Sequence, residues 1–250
     1  MTEDIHLSVV IPAYNEERKI ADDIHLAERY FKTQSYGCEI IVADDGSLDG
    51  TSDVVESIAR NNPRVRLVRL QQNRGKGAAV RAGMEAARGR FALFSDAGTC
   101  VPYANVERGL DLLKNGSDMA YGTRSTSQAH IQRKQPIYRR IGSRVFHYIV
   151  HFWMGLTDIS DTQCGFKLFT QRAYRDIFRN IMTDGFMFDS ETFLYALWRG
   201  YTIREFPVEW SNDPDTRFKP FGGSIRNFRE LVAIRRRMRQ LRSGKIQIQR

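Results

Sequence analysis

No apolar run in this 250-residue chain approaches the ~18–20 residues needed to span a bilayer, so no transmembrane helix is expected. The opening stretch, MTEDIHLSVV, has no basic segment followed by an apolar core, and no secretory signal is expected from it. Cysteine is scarce: Cys38, Cys100 and Cys164 are scattered, odd in number and without a CxxC pair. That argues against a disulfide framework or a zinc site and points to a reducing compartment. No internal repeat or linker divides the chain, so residues 1–250 are expected to form one domain. Hydrophobic residues make up 42% of it, an ordinary globular content that excludes wholesale disorder.

Acidic residues are absent or rare in two stretches. Residues 119–157 hold six Lys/Arg and no Asp or Glu, and residues 225–250 hold nine Lys/Arg against one Glu. The net charge is +9, so these stretches, together +14, leave the remainder acidic. Such a surface suits anionic lipid, a phosphorylated substrate or nucleic acid; the alternative is a solubilising face with a basic tail. No recognisable RNA- or DNA-binding module accompanies the charge, so nucleic acid is not expected as a partner.

What is present is periodic. LSVVIP (7–12) reads as a buried strand stopped by Pro12, with Asn15 then capping a helix to about residue 30 or 31. EIIVA (39–43), VRLVRL (65–70), FALFS (91–95) and DMAYGT (118–123) read as strands. Helices are expected from about Ser52, through GKGAAVRAGMEAAR and over 103–113. Strands alternating with helices imply a parallel sheet covered on both faces. From about 125 the pattern changes. Residues 135–156 have helical spacing, KLFT and TIREFPV read as strands, and helices are expected around 171–179 and 189–199. A polar loop (211–224) then precedes a basic amphipathic helix over 225–242.

Binding loops of such sheets gather at the carboxyl ends of the strands. PAYNE, ADDGS, QNRGKG and SDAGT all fall at such ends. Tyr14 there can lie against a base. Asp44 and Asp45 can accept hydrogen bonds from a nucleobase or ribose, or can, with Asp49, cap a turn and helix. The glycines of QNRGKG permit close approach of a ligand, and Lys76 near a helix N-terminus suits a diphosphate, although the stretch is neither GxxxxGK[ST] nor GxGxxG. Asp96, alone at the end of FALFS, is a site for a cation or sugar, or a turn residue.

PAYNE, ADDGSLDGT, NRGKGAAVRAG and SDAG, in this order, resemble the family 2 glycosyltransferases, which have the GT-A nucleotide-sugar-binding fold. DTQCGFKLFT (161–170) and GFMFDSE (185–191) resemble the dolichyl-phosphate glucosyltransferase and mannosyltransferase branch, nearer the glucosyl type. The likeness spans residues 6–240 or so. It implies an α/β GT-A fold with a Rossmann-like, mostly parallel sheet. A nucleotide-sugar-binding half (1–123) would precede an acceptor-binding, membrane-facing half (124–250). Pro12, Tyr14, Glu16 and Asp44 would hold the base and ribose, with Asp45 beside them, and Lys76 would meet the diphosphate. Asp96 matches the first acid of the family's metal-binding DxD motif, for Mg²⁺ or Mn²⁺. Arg124, Arg139 and Ser143 would grip the phosphate of a polyprenyl-phosphate acceptor, with Lys219 or Arg217 added from a loop that aligns poorly. The chain departs from the pattern at Gly98, where the family has an acid. One carboxylate plus diphosphate and water can still hold Mg²⁺, so weakened metal dependence is expected; cationic side chains making the ion dispensable is the alternative.

The activity so implied is inverting transfer of a sugar, glucose from UDP-glucose, to a polyprenyl phosphate. A phosphate acceptor is already anionic and needs no general base, whereas a lipid or glycan hydroxyl would need one, with Asp161 and Asp189 the candidates. Those two, with Gln163 and Glu191, can also contact sugar hydroxyls or the acceptor, and Asp161 and Asp189 can instead be caps. A non-catalytic nucleotide-sugar-binding protein is a further alternative, because the second acid is missing. A chain without a span would act peripherally, on the cytoplasmic face of an anionic membrane. The basic helix over 225–242 and the aromatics of 135–156 suit such a surface, though those aromatics can equally be core. His147 and His151 are expected to pack rather than bind metal.

Overall fold

The computed structural model describes residues 5–98, 100–124, 152–211 and 224–248. Along the chain run β1 (Ile5–Ala13), α1 (Ile20–Lys32), β2 (Gly37–Asp44), α2 (Thr51–Asn61), β3 (Val65–Arg69), α3 (Lys76–Ala86), β4 (Phe91–Ser95), α4 (Val106–Lys114) and β5 (Met119–Thr123). They are followed by β6 (Phe166–Thr170), α5 (Gln171–Asn180), α6 (Phe188–Trp198), β7 (Ile203–Pro207) and α7 (Ser224–Arg242). One seven-stranded sheet has the order β3-β2-β1-β4-β6-β5-β7. β1 to β4 are parallel and β5 is parallel to β7. β6 lies between β4 and β5 and is antiparallel to both, so the sheet is mixed rather than wholly parallel. β6 thereby brings the start of its own strand to the tips of β4 and β5, and this places Gly165 beside Asp96.

The central strands are apolar without alternation because both faces are covered. On one face Ile24, Phe31, Val55, Val106 and Leu110 of α1, α2 and α4 pack on Val9, Ile11 and Leu93. On the other, Val80, Met84, Tyr174, Phe178, Phe193, Leu231 and Ile234 from α3, α5, α6 and α7 pack on Val10, Ile41 and Phe94. None of the helices searched among the described residues is long and apolar enough to cross a membrane.

Two local expectations are corrected. Pro12 does not stop β1, which pairs with β2 as far as Ala13 but with β4 only as far as Val10. Beyond Val10 one side of the strand has no β4 partner, and a proline is tolerated there. Asn15 does not cap α1, which begins five residues later at Ile20. Its backbone is left-handed (φ 53°), and its Oδ1 accepts from Leu48 N at 2.8 Å while its own N donates to Ser47 Oγ at 2.8 Å. The first loop is thus tied to the acidic loop rather than wound into the helix. Arg139, Ser143, Arg217 and Lys219, the histidines His147 and His151, and the body of the 135–156 stretch lie outside the described residues.

Candidate functional site

The acidic loop after β2 is built inward. Asp44 is fully buried and accepts from Ser47 N (3.0 Å), Ser47 Oγ and Ser52 Oγ (2.6 Å), with Arg69 Nε 3.4 Å away. It ties the turn after β2 to Ser52 in the first turn of α2. Asp45 is also buried and accepts from Arg74 N (2.9 Å) and Gly75 N (2.8 Å), stapling the loop after β3 to the loop after β2. Burial raises its carboxyl above the ordinary range, and those two amides only partly offset this. Pro12 is buried, while Tyr14 and Glu16 are half-buried at the end of β1. Glu16 N donates to Thr51 Oγ1 at 2.8 Å.

The glycines of QNRGKG suit close approach of a ligand, with Lys76 near the N-terminus of α3 meeting a diphosphate. In the structure Asp184 O accepts from Ala78 N at 3.2 Å, and a Cβ on Gly75 or Gly77 would overlap Asp184 O or Thr183 O. The 182–187 segment therefore covers that helix end, held by Arg74 and Arg81 on the Asp184 carboxylate. What α3 offers to a ligand is its first side chain.

That side chain, Lys76, places Nζ 2.6 Å from Asp96 Oδ1, and both residues are partly open to solvent. Its stem runs beside Phe94, with Nζ 5.2 Å from the ring centroid. Burial acts to lower the ammonium's pKa, but the charges of Asp96 and Asp189 outweigh it and leave the group raised. Beneath this pair lies another. Lys167 of β6, almost wholly buried, donates to Cys164 O (2.6 Å) and to Asp189 Oδ1 (2.5 Å) and sits near the Phe94 and Phe193 rings. Burial raises the Asp189 carboxyl, with Lys167 and Lys76 pulling the other way.

The DTQCGFK stretch supports Asp96 from below. Asp96 N donates to Gly165 O at 2.9 Å, and a Cβ on Gly165 would overlap the Asp96 carboxylate. Gly165→Ala should therefore push the carboxylate off Lys76 while leaving the sheet intact. A displacement of about 1 Å at a reacting centre can cost roughly 10²-fold in rate. Turnover assays beside thermal denaturation should show a loss of that order with a small change in Tm.

At the end of β5, Arg124 grips Asp161 through two bonds, Nε to Oδ2 (2.7 Å) and Nη2 to Oδ1 (2.9 Å), with its own N also donating to Oδ2 (3.2 Å). The guanidinium lies 5.3 Å from the Trp210 ring centroid. Burial acts to lower the pKa of Arg124, but its bonds to Asp161 raise it on balance, and the charge of Asp96 contributes in the same direction. Burial alone would raise Asp161, and the Arg124 bonds reverse the sign. Both oxygens of Asp161 are thus engaged, and Asp189 is buried on Lys167. In this arrangement Asp161 is paired with Arg124 and Asp189 with Lys167. Glu191 is likewise internal, accepting from Thr183 N (2.8 Å) and Arg237 Nη1 (2.8 Å).

The donor chemistry bears on a metal. Asp96 presents the hard oxygens that Mg²⁺ and Mn²⁺ take, and Mg²⁺ is commonly held by one or two carboxylates with phosphates and water. Among the described residues no group of three or more His, Cys, Asp or Glu could hold an ion. At the position of a second acid, Gly98 is left-handed (φ 86°) and its N donates to Asp23 Oδ2 at 2.9 Å. The turn is built around glycine, so the residues suit an ion that arrives with a diphosphate.

Lys167 and Gly165 went unremarked as site residues in the sequence. A lysine within the apolar run FKLFT was the signal for the first, because a buried strand lysine requires a carboxylate partner. The second had only its place before a strand.

The profile of Glycosyl transferase family 2 matches residues 8–178. The dolichyl-phosphate beta-glucosyltransferase of Saccharomyces cerevisiae is 34% identical over 252 residues, covering 93% of this chain and 75% of that protein. The human protein of the same description is 33% identical over 244 residues, covering 92% and 75%. Among solved structures, glucosyl-3-phosphoglycerate synthase from Mycobacterium tuberculosis, in complex with Mn²⁺, UDP and phosphoglyceric acid, superposes with a TM-score of 0.68 at 18% identity, covering 92% of this chain and 78% of that one. Mannosyl-3-phosphoglycerate synthase from Rubrobacter xylanophilus gives 0.66 at 18% identity, covering 98% and 77%. These two share the GT-A fold seen here. The match of the family profile over most of the chain, with the relatives' identity over nearly all of it, means that the chain belongs to glycosyl transferase family 2.

Proposed function

We propose that the protein transfers glucose from UDP-glucose to a polyprenyl phosphate at a membrane surface. The observation that carries this reading is the charge arrangement at the tips of β4 and β5. Lys76 lies on Asp96, the Asp96 charge also acts on Arg124, and Asp161 and Asp189 are paired with Arg124 and Lys167. That arrangement suits a reaction in which one anion leaves and another attacks. The acceptor phosphate is charged near neutral pH and needs no proton removed, so the protein's work is positioning and charge stabilisation. Lys76 would meet the departing diphosphate, and Arg124, bonded to Asp161, would meet the acceptor phosphate. Direct attack inverts the anomeric centre, giving a β-linked product from an α-linked donor. A divalent ion, when bound by Asp96 with the donor, would add charge neutralisation on the diphosphate. The naming of the yeast and human relatives supports the choice of sugar and acceptor.

The test is incorporation of labelled glucose from UDP-glucose into an organic-extractable, acid-labile product with added polyprenyl phosphate. Absence of such a product with any nucleotide sugar would remove the proposal.

The membrane surface is supported by α7. Leu231, Ile234, Met238 and Leu241 pack into the core, while Ile225, Phe228 and Val232 are exposed on the opposite side near Arg229, Arg236 and Arg239. Trp153 stacks on Phe228 with the rings 5.8 Å apart. Exposed basic residues at an anionic bilayer contribute about 1 kcal/mol each. Arg236→Glu with Arg239→Glu should therefore weaken binding to phosphatidylserine vesicles by at least tenfold, or roughly a decade per 1.4 kcal/mol, in a flotation assay.

A further inference from the structure

We propose that Lys76 is the resident counter-cation of Asp96, keeping a divalent ion off this carboxylate until a diphosphate arrives. The inference rests on the donor-site reading above and concerns what sets metal affinity there. Nζ lies 2.6 Å from Asp96 Oδ1, within the space an ion on that oxygen would need, since Mg²⁺ and Ca²⁺ bind oxygens at roughly 2.0–2.6 Å. The ammonium is not a loose surface lysine. Lys76 opens α3 directly after Gly75, whose left-handed backbone (φ 126°) is pinned by its N–H on Asp45. Its stem is set beside the Phe94 ring, and Asp189 lies behind it as a second negative charge.

The other side of the carboxylate is closed. Gly165 packs against it, and its own amide is bonded to Gly165 O. Gly98 supplies no compensating acid, and its turn is committed to glycine by its left-handed φ and by the bond from its amide to Asp23. At the tip of β4 Asp96 is thus matched by Lys76, and among the described residues no group of three or more His, Cys, Asp or Glu gathers there to hold a dication. A nucleoside diphosphate changes that balance. Its oxygens would give Lys76 a second partner and would add ligands that the described residues do not supply, so that Asp96 would hold an ion only together with a diphosphate and Lys76 would turn to that diphosphate.

The experiment is a Mn²⁺ titration read by electron paramagnetic resonance of the free aquo ion, on the full chain, without and with UDP. Without nucleotide the wild-type protein should bind Mn²⁺ more weakly than about 1 mM, the range of loose oxygen sites. UDP should bring Mn²⁺ into a bound complex. Lys76→Met without nucleotide should bind Mn²⁺ at least about tenfold more tightly than wild type, because a unit positive charge a few ångströms from the ion is gone. Adding Asp96→Asn to that variant should abolish the gain. Lys76→Gln, which keeps a polar end of similar reach, repeats the comparison if Lys76→Met folds poorly, with circular dichroism monitoring both. Tight Mn²⁺ binding by the nucleotide-free wild type, an unchanged affinity in both Lys76 variants, or a gain that survives Asp96→Asn would each overturn the proposal. Failure of UDP to bind by calorimetry would instead remove the donor-site reading, while the nucleotide-free comparison of Lys76 variants would still be read.

Discussion

Asp96→Asn should lower glucosyl transfer by roughly 10²–10³-fold, the loss typical when one preorganised electrostatic group is removed from a site of developing charge. The substitution is nearly isosteric. It preserves the backbone bond to Gly165 O and the packing over Gly165 Cα, and it removes only the negative charge facing Lys76. That charge lies 2.6 Å from the lysine and is the carboxylate proposed above to meet an ion. The pair is partly solvent-exposed, and such pairs add about 0–1 kcal/mol to stability, so Tm should fall by no more than about 4 °C. Initial rates with UDP-glucose and a polyprenyl phosphate, beside a thermal melt, read both quantities. A variant that keeps wild-type rates would show that Asp96 is a turn residue and not the centre of the site.

Lys167→Met should have the larger effect on the fold. The Lys167–Asp189 pair is almost wholly buried, between β6 and α6. Methionine replaces the stem but leaves Asp189 in the interior without its ammonium. Breaking a buried pair from one side costs about 3–5 kcal/mol, which for a chain of this size is a drop in Tm of roughly 6–20 °C. The pH dependence has a definite sign. Burial already holds the Asp189 carboxyl above the ordinary range, and loss of Lys167 lifts it further. A carboxyl with a raised pKa in the folded state favours folding when protonated, and this contribution is lost as pH rises from the unfolded value through the folded one. The deficit of the variant against wild type should therefore narrow as pH is lowered from about 7 to about 5. Adding Asp189→Leu to Lys167→Met should recover much of the loss, because apolar replacement of a whole buried pair is often neutral. If Lys167→Met alone is as stable as wild type at neutral pH, Asp189 is not charged there.

The two pairs divide the work between them. Lys76–Asp96 faces solvent and can exchange partners when a diphosphate enters. Lys167–Asp189 cannot exchange, and it holds β6 and α6 together directly beneath. Arg124–Asp161 is intermediate, oriented by two bonds but adjacent to the opening. Across the site, the two carboxylates that the sequence offered as candidate bases, Asp161 and Asp189, are each paired with a cation.

How far the sequence spoke for itself can be judged from particular elements. The strands VRLVR and FALFS and the helix over 76–86 were legible because their periodicity is local and their ends carry glycine or charge. The gathering of PAYNE, ADDGS, QNRGKG and SDAGT at one rim followed from strand alternation, and the bonds joining Asn15, Ser47, Asp45 and Gly75 show that the first three of these loops meet, while Lys76–Asp96 joins the third to the fourth. Asp44 could not be read, because a carboxylate after a strand looks the same whether it faces a ligand or bonds Ser47 and Ser52 from within. The start of α1 was misread, because Asn15 is a good cap by residue type and only its left-handed backbone beside the neighbouring loop forbids that role.

The sequence by itself determined the alternation of strand and helix, the loops that carry charge, and the absence of a second acid at Gly98. Each is written in neighbouring residues. Only the tertiary structure decided which acid meets which base. Asp96 with Lys76, Asp189 with Lys167 and Asp161 with Arg124 are separated by 20 to 37 positions and joined through the sheet order and the antiparallel insertion of β6. Ion pairs act over a few ångströms of space whatever the length of chain between them, so pairing is a property of the fold.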